Sequence, residues 1–147
     1  MYKRILVATD GSKLSNMAVD HAIALADITG AEVIALKVVP RYPQTYFEGG
    51  VALAAAEVAR IEKQWNDDAM EAVNAVKAAG QKVEVKVKPV TVKSDLIAEA
   101  IIAAAKRNKV DLIVMASHGR KGIKRLLLGS ETQQVLTHSH IPVLVLR

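Results

Sequence analysis

Runs of aliphatic residues alternate with stretches of helical periodicity along the whole chain, and that alternation leaves few architectures open. Residues 3–9 (K-R-I-L-V-A-T), 33–39 (V-I-A-L-K-V-V) and 110–116 (V-D-L-I-V-M-A) are apolar on both faces, as strands buried inside a sheet are. Residues 82–88 (K-V-E-V-K-V-K) instead alternate valine with charge, which predicts a half-exposed strand whose lysines suit a sheet edge. Ile141-Pro142 opens a last strand, V-L-V-L.

Between these runs the spacing predicts four helices. The first covers residues 13–29, after a D-G-S turn. It places Leu14, Met17, Ala18, His21, Ala22, Leu25 and Ile28 on one stripe, and Gly30 follows as a left-handed cap. The second covers 51–79, with Val58, Ile61, Trp65, Ala69, Ala72, Val76 and Ala79 inward and Gly80 as terminator. The third begins at Ser94-Asp95 and turns Leu96, Ile97, Ala100, Ile101 and Ala104 inward. The fourth runs over 130–139, with Ser130 as its N-cap. The order β-α-β-α-β-α-β-α-β predicts an α/β fold, a three-layer, doubly wound sheet of five parallel strands with right-handed crossovers. With no linker or repeat in the sequence, residues 1–147 are expected to form one domain.

Composition narrows the function classes. No cysteine is present, which excludes disulfides, thiol catalysis and cysteine-based zinc sites. Twenty basic against fifteen acidic residues give a formal charge of +5, compatible with an anionic ligand. Aromatic residues make up 3%, too few to stack on single-stranded nucleic acid, so nucleic acid is not an expected partner. The N-terminal apolar run is interrupted by Asp10, too early for a signal-peptide core or a membrane span, so no membrane association and a cytoplasmic location are expected.

Function is concentrated in residues 110–132. A buried-type strand leads into a loop with glycines at 119, 122 and 129 and with Arg120, Lys121, Lys124 and Arg125. Gly129-Ser130 then opens a helix. Strand, glycine-bearing loop and helix N-terminus together make an anion cradle, because unpaired backbone N–H groups and the helix dipole both favour phosphate. If the first strand is central, the sheet order is 3-2-1-4-5. The order then reverses between strands one and four, and ligands bind beyond the carboxyl ends of the strands at such a reversal. Those two strands end at Thr9-Asp10 and Met115-Ala116.

With I-L-V-A-T-D-G-S at the start, D-L-I-V-M-A-S-H-G in the fourth strand, G-S-E-T after the loop and H-I-P-V-L-V-L-R at the end, the chain resembles the universal stress protein family over essentially its full length. The resemblance implies an adenine nucleotide alpha hydrolase-like, Rossmann-like fold. ATP-binding members carry glycine, two residues, glycine, nine residues, glycine, then serine or threonine. Here Gly119, Gly129 and Ser130 match, and the first position falls on Ala116. The resemblance puts adenine near Asp10 and Val38. Ribose and phosphates would lie along Ala116, His118, Gly119 and Arg120 and against Gly129, Ser130, Glu131 and Thr132, with Ala8, Thr9 and Met115 at the neighbouring strand ends. It also implies ATP with Mg²⁺ as the bound species and a homodimer paired through Val143 to Leu146. Alanine at 116 adds one methyl, tolerable where φ is negative and the ligand leaves the Cβ untouched. Its place at the end of an extended run favours that, so weakened but retained binding is expected.

Several residues keep two readings. Asp10 caps the first helix, or it orients a nucleotide or its magnesium. Ser130 can serve the helix, the ligand or both. The four loop cations are a solvated rim, or they approach phosphates, Arg120 best by its planar fork. His118 belongs to the loop structure, His21 to packing, and His138 and His140 to a helix end that favours histidine or to a metal. No Walker lysine follows the glycines and no carboxylate pair is placed against a γ-phosphate, so no catalytic residue is assigned and hydrolysis of bound ATP would at most be slow. The alternative to nucleotide binding is a dimeric interaction protein of the same family that binds no nucleotide.

Overall fold

The computed structural model describes residues 1–43, 54–119 and 128–147. The elements are β1 (Arg4–Ala8), α1 (Lys13–Thr29), β2 (Glu32–Val39), α2 (Ala55–Gln81), β3 (Val87–Lys93), α3 (Ile97–Arg107), β4 (Leu112–Ala116), α4 (Ser130–His138) and β5 (Val143–Leu146). All four strand pairings are parallel, in the order β3-β2-β1-β4-β5. The expected doubly wound sheet is therefore the observed one, with the reversal between β1 and β4.

The three central strands bury both faces, as their unbroken apolar runs require. Ile5, Val7, Val33, Ala35 and Val114 pack with α1 and α2, while Leu6, Ile34, Leu36, Ile113 and Met115 pack with α3 and α4. Helix α1 has the predicted bounds, and Gly30 closes it at φ 74°, donating its N–H to Ala26 O. Its buried face is rotated from the predicted stripe. Ala18, Val19, Ala22, Ile23 and Ala26 face inward, whereas Met17 and Ile28 are exposed. His21 is exposed too and lies with Nδ1 2.9 Å from Met17 O, so it is not a packing histidine.

The largest departure is β3, which lies about five residues beyond the predicted 82–88. Helix α2 does not stop at Gly80 but runs through it to Gln81, and Lys82–Glu84 form the turn. Gly80 is buried, and its carbonyl accepts from the N–H of Val83 and Val85. The strand then includes Pro89. Val33 N–H donates to Lys86 O and Ser94 N–H to Val39 O, so even-numbered residues of β3 face β2. The missing N–H of Pro89 therefore falls on the open edge, where proline is tolerated. The strand does sit at an edge, as its lysines suggested. Lys93 donates to the Glu62 carboxylate, holding that carboxyl below its ordinary value and tying α2 to the end of β3.

The third helix starts at Ile97 rather than at Ser94-Asp95. The Ser94 hydroxyl accepts from Leu96 N–H, and Asp95 accepts from Arg41 N–H. Leu96 and Ile97, expected inward, are 60% and 41% exposed. No helix among the described residues is long and apolar enough to cross a membrane.

Candidate functional site

Helix α1 is capped by Ser12, whose hydroxyl accepts from Ser15 N–H at 3.2 Å; Asp10 is not the cap. The Asp10 carboxylate instead accepts from Ser12 N–H at 2.9 Å, one step upstream, and so shapes the turn that presents the cap. Beneath it the Thr9 and Ser15 hydroxyls lie 3.3 Å apart, and Asp10 N–H donates to Ser15 Oγ. These bonds fix the Asp10 side chain at the carboxyl end of β1.

Across the reversal, β4 ends at Ala116, paired with Leu146. Two bonds then close the segment that follows: Gly129 N–H donates to Ser117 O at 2.7 Å, and the buried Thr132 hydroxyl donates to Ala116 O at 2.9 Å. Thr132 thus fastens the first turn of α4 to the last carbonyl of β4. Thr132→Val would leave that carbonyl unpartnered, and a loss of about 1–3 kcal/mol in denaturant-unfolding stability is expected. A stability equal to the parent's would contradict this role.

The glycines are explained by close approach. A Cβ on Gly119 would lie 2.6 Å from Asp10 Oδ2, and one on Gly129 would lie 3.3 Å from both Ser117 O and His118 Cα. Gly129, not Ser130, is the N-cap of α4, and no side chain caps that terminus; the Ser130 hydroxyl donates to the Glu131 carboxylate instead. The first ladder bond is from Gln133 N–H to Gly129 O. The N–H groups of Ser130, Glu131 and Thr132 therefore precede the helix ladder and point out of its N-terminus.

They point into a cleft of about 450 Å³, within the roughly 300–1,000 Å³ usual for small-molecule sites. One wall is apolar, formed by Leu36, Val38, Ile97, Ile101 and Met115. The other end is polar, formed by Asp10, His118, Gly119, Gly129 and the first turn of α4. Of the predicted residues, Ala8, Thr9 and Asp10 line the cleft from β1 and the turn after it, and Val38 from β2. Met115, Ala116, His118 and Gly119 line it from β4 and the loop, and Gly129, Ser130, Glu131 and Thr132 from α4. Arg120 lies outside the described residues, as do Lys121, Gly122, Lys124 and Arg125 and the aromatic Tyr46 and Phe47.

The universal stress protein family matches the chain over residues 1–147. The chain belongs to that family. It is 36% identical over its full length to universal stress protein MJ0531 of Methanocaldococcus jannaschii, covering 83% of that protein. Among solved structures it is similar to MJ0577 (TM-score 0.82, 32% identity, 99% of this chain and 96% of the other). It is also similar to a universal stress protein in complex with cAMP (TM-score 0.72, 26% identity, 99% and 97% covered).

In this universal stress protein Ala116 occupies strand backbone, and its φ is not positive. Among the described residues only Glu84 and Lys109 are non-glycines with positive φ. The expectation of an unstrained alanine is met. His118 Nδ1 lies 3.1 Å from Ser117 Oγ. Ser117 is 5% exposed and does not line the cleft, so the pair orients the imidazole and presents no nucleophile to it. His138 and His140 form no metal cluster: among the described residues no three His, Cys, Asp or Glu come together as one.

The residues that sequence reading missed are Ser15, Leu36, Lys37, Ile97 and Ile101. Ile97 and Ile101 are one turn apart on α3, and that spacing reads as core. Ile101 is core, 2% exposed, while Ile97 at the helix start is 41% exposed; both also edge the cleft, because α3 begins beside the carboxyl end of β2. Lys37 follows Leu36 in β2, and an isolated lysine near the end of an otherwise apolar strand is the signal that marks it.

Proposed function

We propose that the chain binds an adenine nucleotide, ATP accompanied by Mg²⁺, in the cleft between the ends of β1 and β4, and that the bound state is what a regulatory partner reads. The observation that carries this reading is the uncapped N-terminus of α4 opening into the cleft across from Gly119, whose missing Cβ lets the loop backbone approach Asp10. Donors and helix dipole at that end suit phosphates, and the apolar wall suits a base. A relative's structure with cAMP is consistent with the same ligand class. The described residues include no cage for a divalent ion. Mg²⁺ would be held by phosphate oxygens and water, with Asp10 and Glu131 the carboxylates lining the cleft, a coordination ordinary for this ion.

Saturating nucleotide at about a hundred times its Kd should stabilise the fold by about 2.7 kcal/mol. Thermal melts with and without millimolar Mg-ATP read that shift. Coincident melts, with no nucleotide recovered from the purified protein, would contradict the proposal.

The family reading also includes pairing of two copies through β5. What supports it is the apolar edge itself: Leu144 on β5 and Leu136 on α4 are 39% and 42% exposed, and β5 is the last strand of the sheet. Sedimentation at micromolar concentration is expected to show a dimer, and a strict monomer would count against the pairing.

A further inference from the structure

The two ends of the sheet differ in charge. Opposite the cleft, Lys3 and Arg4 open β1, and Lys82, Lys86 and Lys88 lie in the turn before β3 and in its first residues. Lys106, Arg107 and Lys109 lie at the end of α3 and in the turn after it. All are exposed except the half-buried Arg4. On these strand starts and the α3–β4 turn the eight cations meet three carboxylates, Glu32, Glu84 and Asp111. Elsewhere the remaining twelve of the 20 cations match the remaining twelve of the 15 carboxylates, so these segments hold the chain's whole excess of +5.

The three segments converge. Lys88 Nζ donates to Asn108 Oδ1 at 2.9 Å and Arg4 Nη1 to Asn108 O at 3.4 Å, bringing β1, β3 and the end of α3 together. Two of the three carboxylates are engaged within this frame. Glu32 lies between Arg4 Nε at 3.7 Å and Lys86 Nζ at 3.9 Å, while Asp111 accepts from the backbone N–H groups of Lys3 and Arg4. The dipole of α3 accounts for Lys106 and Arg107, and protection of an edge strand accounts for Lys86 and Lys88. Neither accounts for Lys88 and Arg4 both donating to Asn108, which joins the starts of β3 and β1 to the end of α3, where Lys106, Arg107 and Lys109 lie.

We propose that this surface docks a carboxylate-rich segment of a partner protein. Three strand starts at their usual spacing span about 10 Å, room for an extended peptide carrying a few carboxylates. That is short for the roughly 6–10 phosphates a duplex binder engages. The neighbouring aromatic, Tyr2, is half-buried and packs against the core.

The test is fluorescence anisotropy of a short labelled oligoglutamate peptide with the full chain at low ionic strength. Saturable binding that weakens as salt is raised is expected, reduced about tenfold or more in the triple variant Lys86→Glu/Lys88→Glu/Arg107→Glu. Arg60→Glu/Lys63→Glu/Lys77→Glu on the outer face of α2, an equal change in net charge, should leave it essentially unchanged. The corresponding glutamine set is expected to give a smaller loss and decides the matter if the charge-reversed protein does not melt like the parent. Absence of binding, equal loss in both triple variants, or tighter binding of duplex DNA or anionic vesicles through the same lysines would overturn the proposal.

Discussion

Gly80→Ala is expected to destabilise the fold by about 2 kcal/mol, although alanine is the best helix former and glycine among the worst. An added Cβ at Gly80 would lie 2.4 Å from Val87 Cγ2 and 2.9 Å from the Val85 carbonyl oxygen. The first neighbour is a buried side chain and the second is backbone in the turn that redirects the chain from α2 into β3. Neither can retreat without moving the start of the edge strand. The helix-propensity gain of up to about 1 kcal/mol is outweighed by this overpacking. The midpoint of thermal unfolding should fall by roughly 4–8 °C for a chain of this size. An unchanged or raised midpoint would mean that the turn relaxes freely and that Gly80 is replaceable.

Gly119→Val is expected to act on the ligand rather than on the fold. Gly119 is exposed, so the branched side chain meets no core. Its Cβ falls 2.6 Å from Asp10 Oδ2, at the polar end of the cleft. Either the loop backbone withdraws or Asp10 leaves the position set by Ser12, and both spoil the cradle. Overpacking of about 1–3 kcal/mol corresponds to a loss of Mg-ATP affinity of roughly tenfold to a hundredfold, with the ligand-free melt close to the parent's. A parent-like nucleotide shift in this variant would remove Gly119 from the site. A collapse of the ligand-free melt would make the glycine a folding requirement instead.

What the sequence made legible depended on the kind of signal. The sheet order followed from uninterrupted apolar runs, which only strands buried on both faces need, and from the handedness of their crossovers. The cleft followed from that order, because a reversal between β1 and β4 must gather the residues at their carboxyl ends whatever the local geometry. The inward face of α1 was not legible. Met17, His21 and Ile28 form one apolar-looking stripe and Val19, Ile23 and Ala26 another, and in an alanine-rich helix spacing cannot choose between them. For β3, the alternation at 82–88 satisfied a strand pattern, yet the packing of Gly80 against Val85 and Val87 carried the helix further and shifted the strand toward Pro89. A proline reads as a breaker until the open side of the edge is known. For Asp10 and Ser130 only the capping half of the two readings is decided: a neighbour, Ser12 or Gly129, takes the cap, and only atomic positions settle such a one- or two-residue choice.

Nucleotide binding by the cleft is the central claim, and calorimetric titration of the purified chain with Mg-ATP tests it most directly. Saturable heat with one site per chain, greatly weakened in Gly119→Val, is the predicted result. No saturable heat with millimolar Mg-ATP, AMP or cAMP, from protein shown by mass spectrometry to carry no nucleotide already, would contradict it.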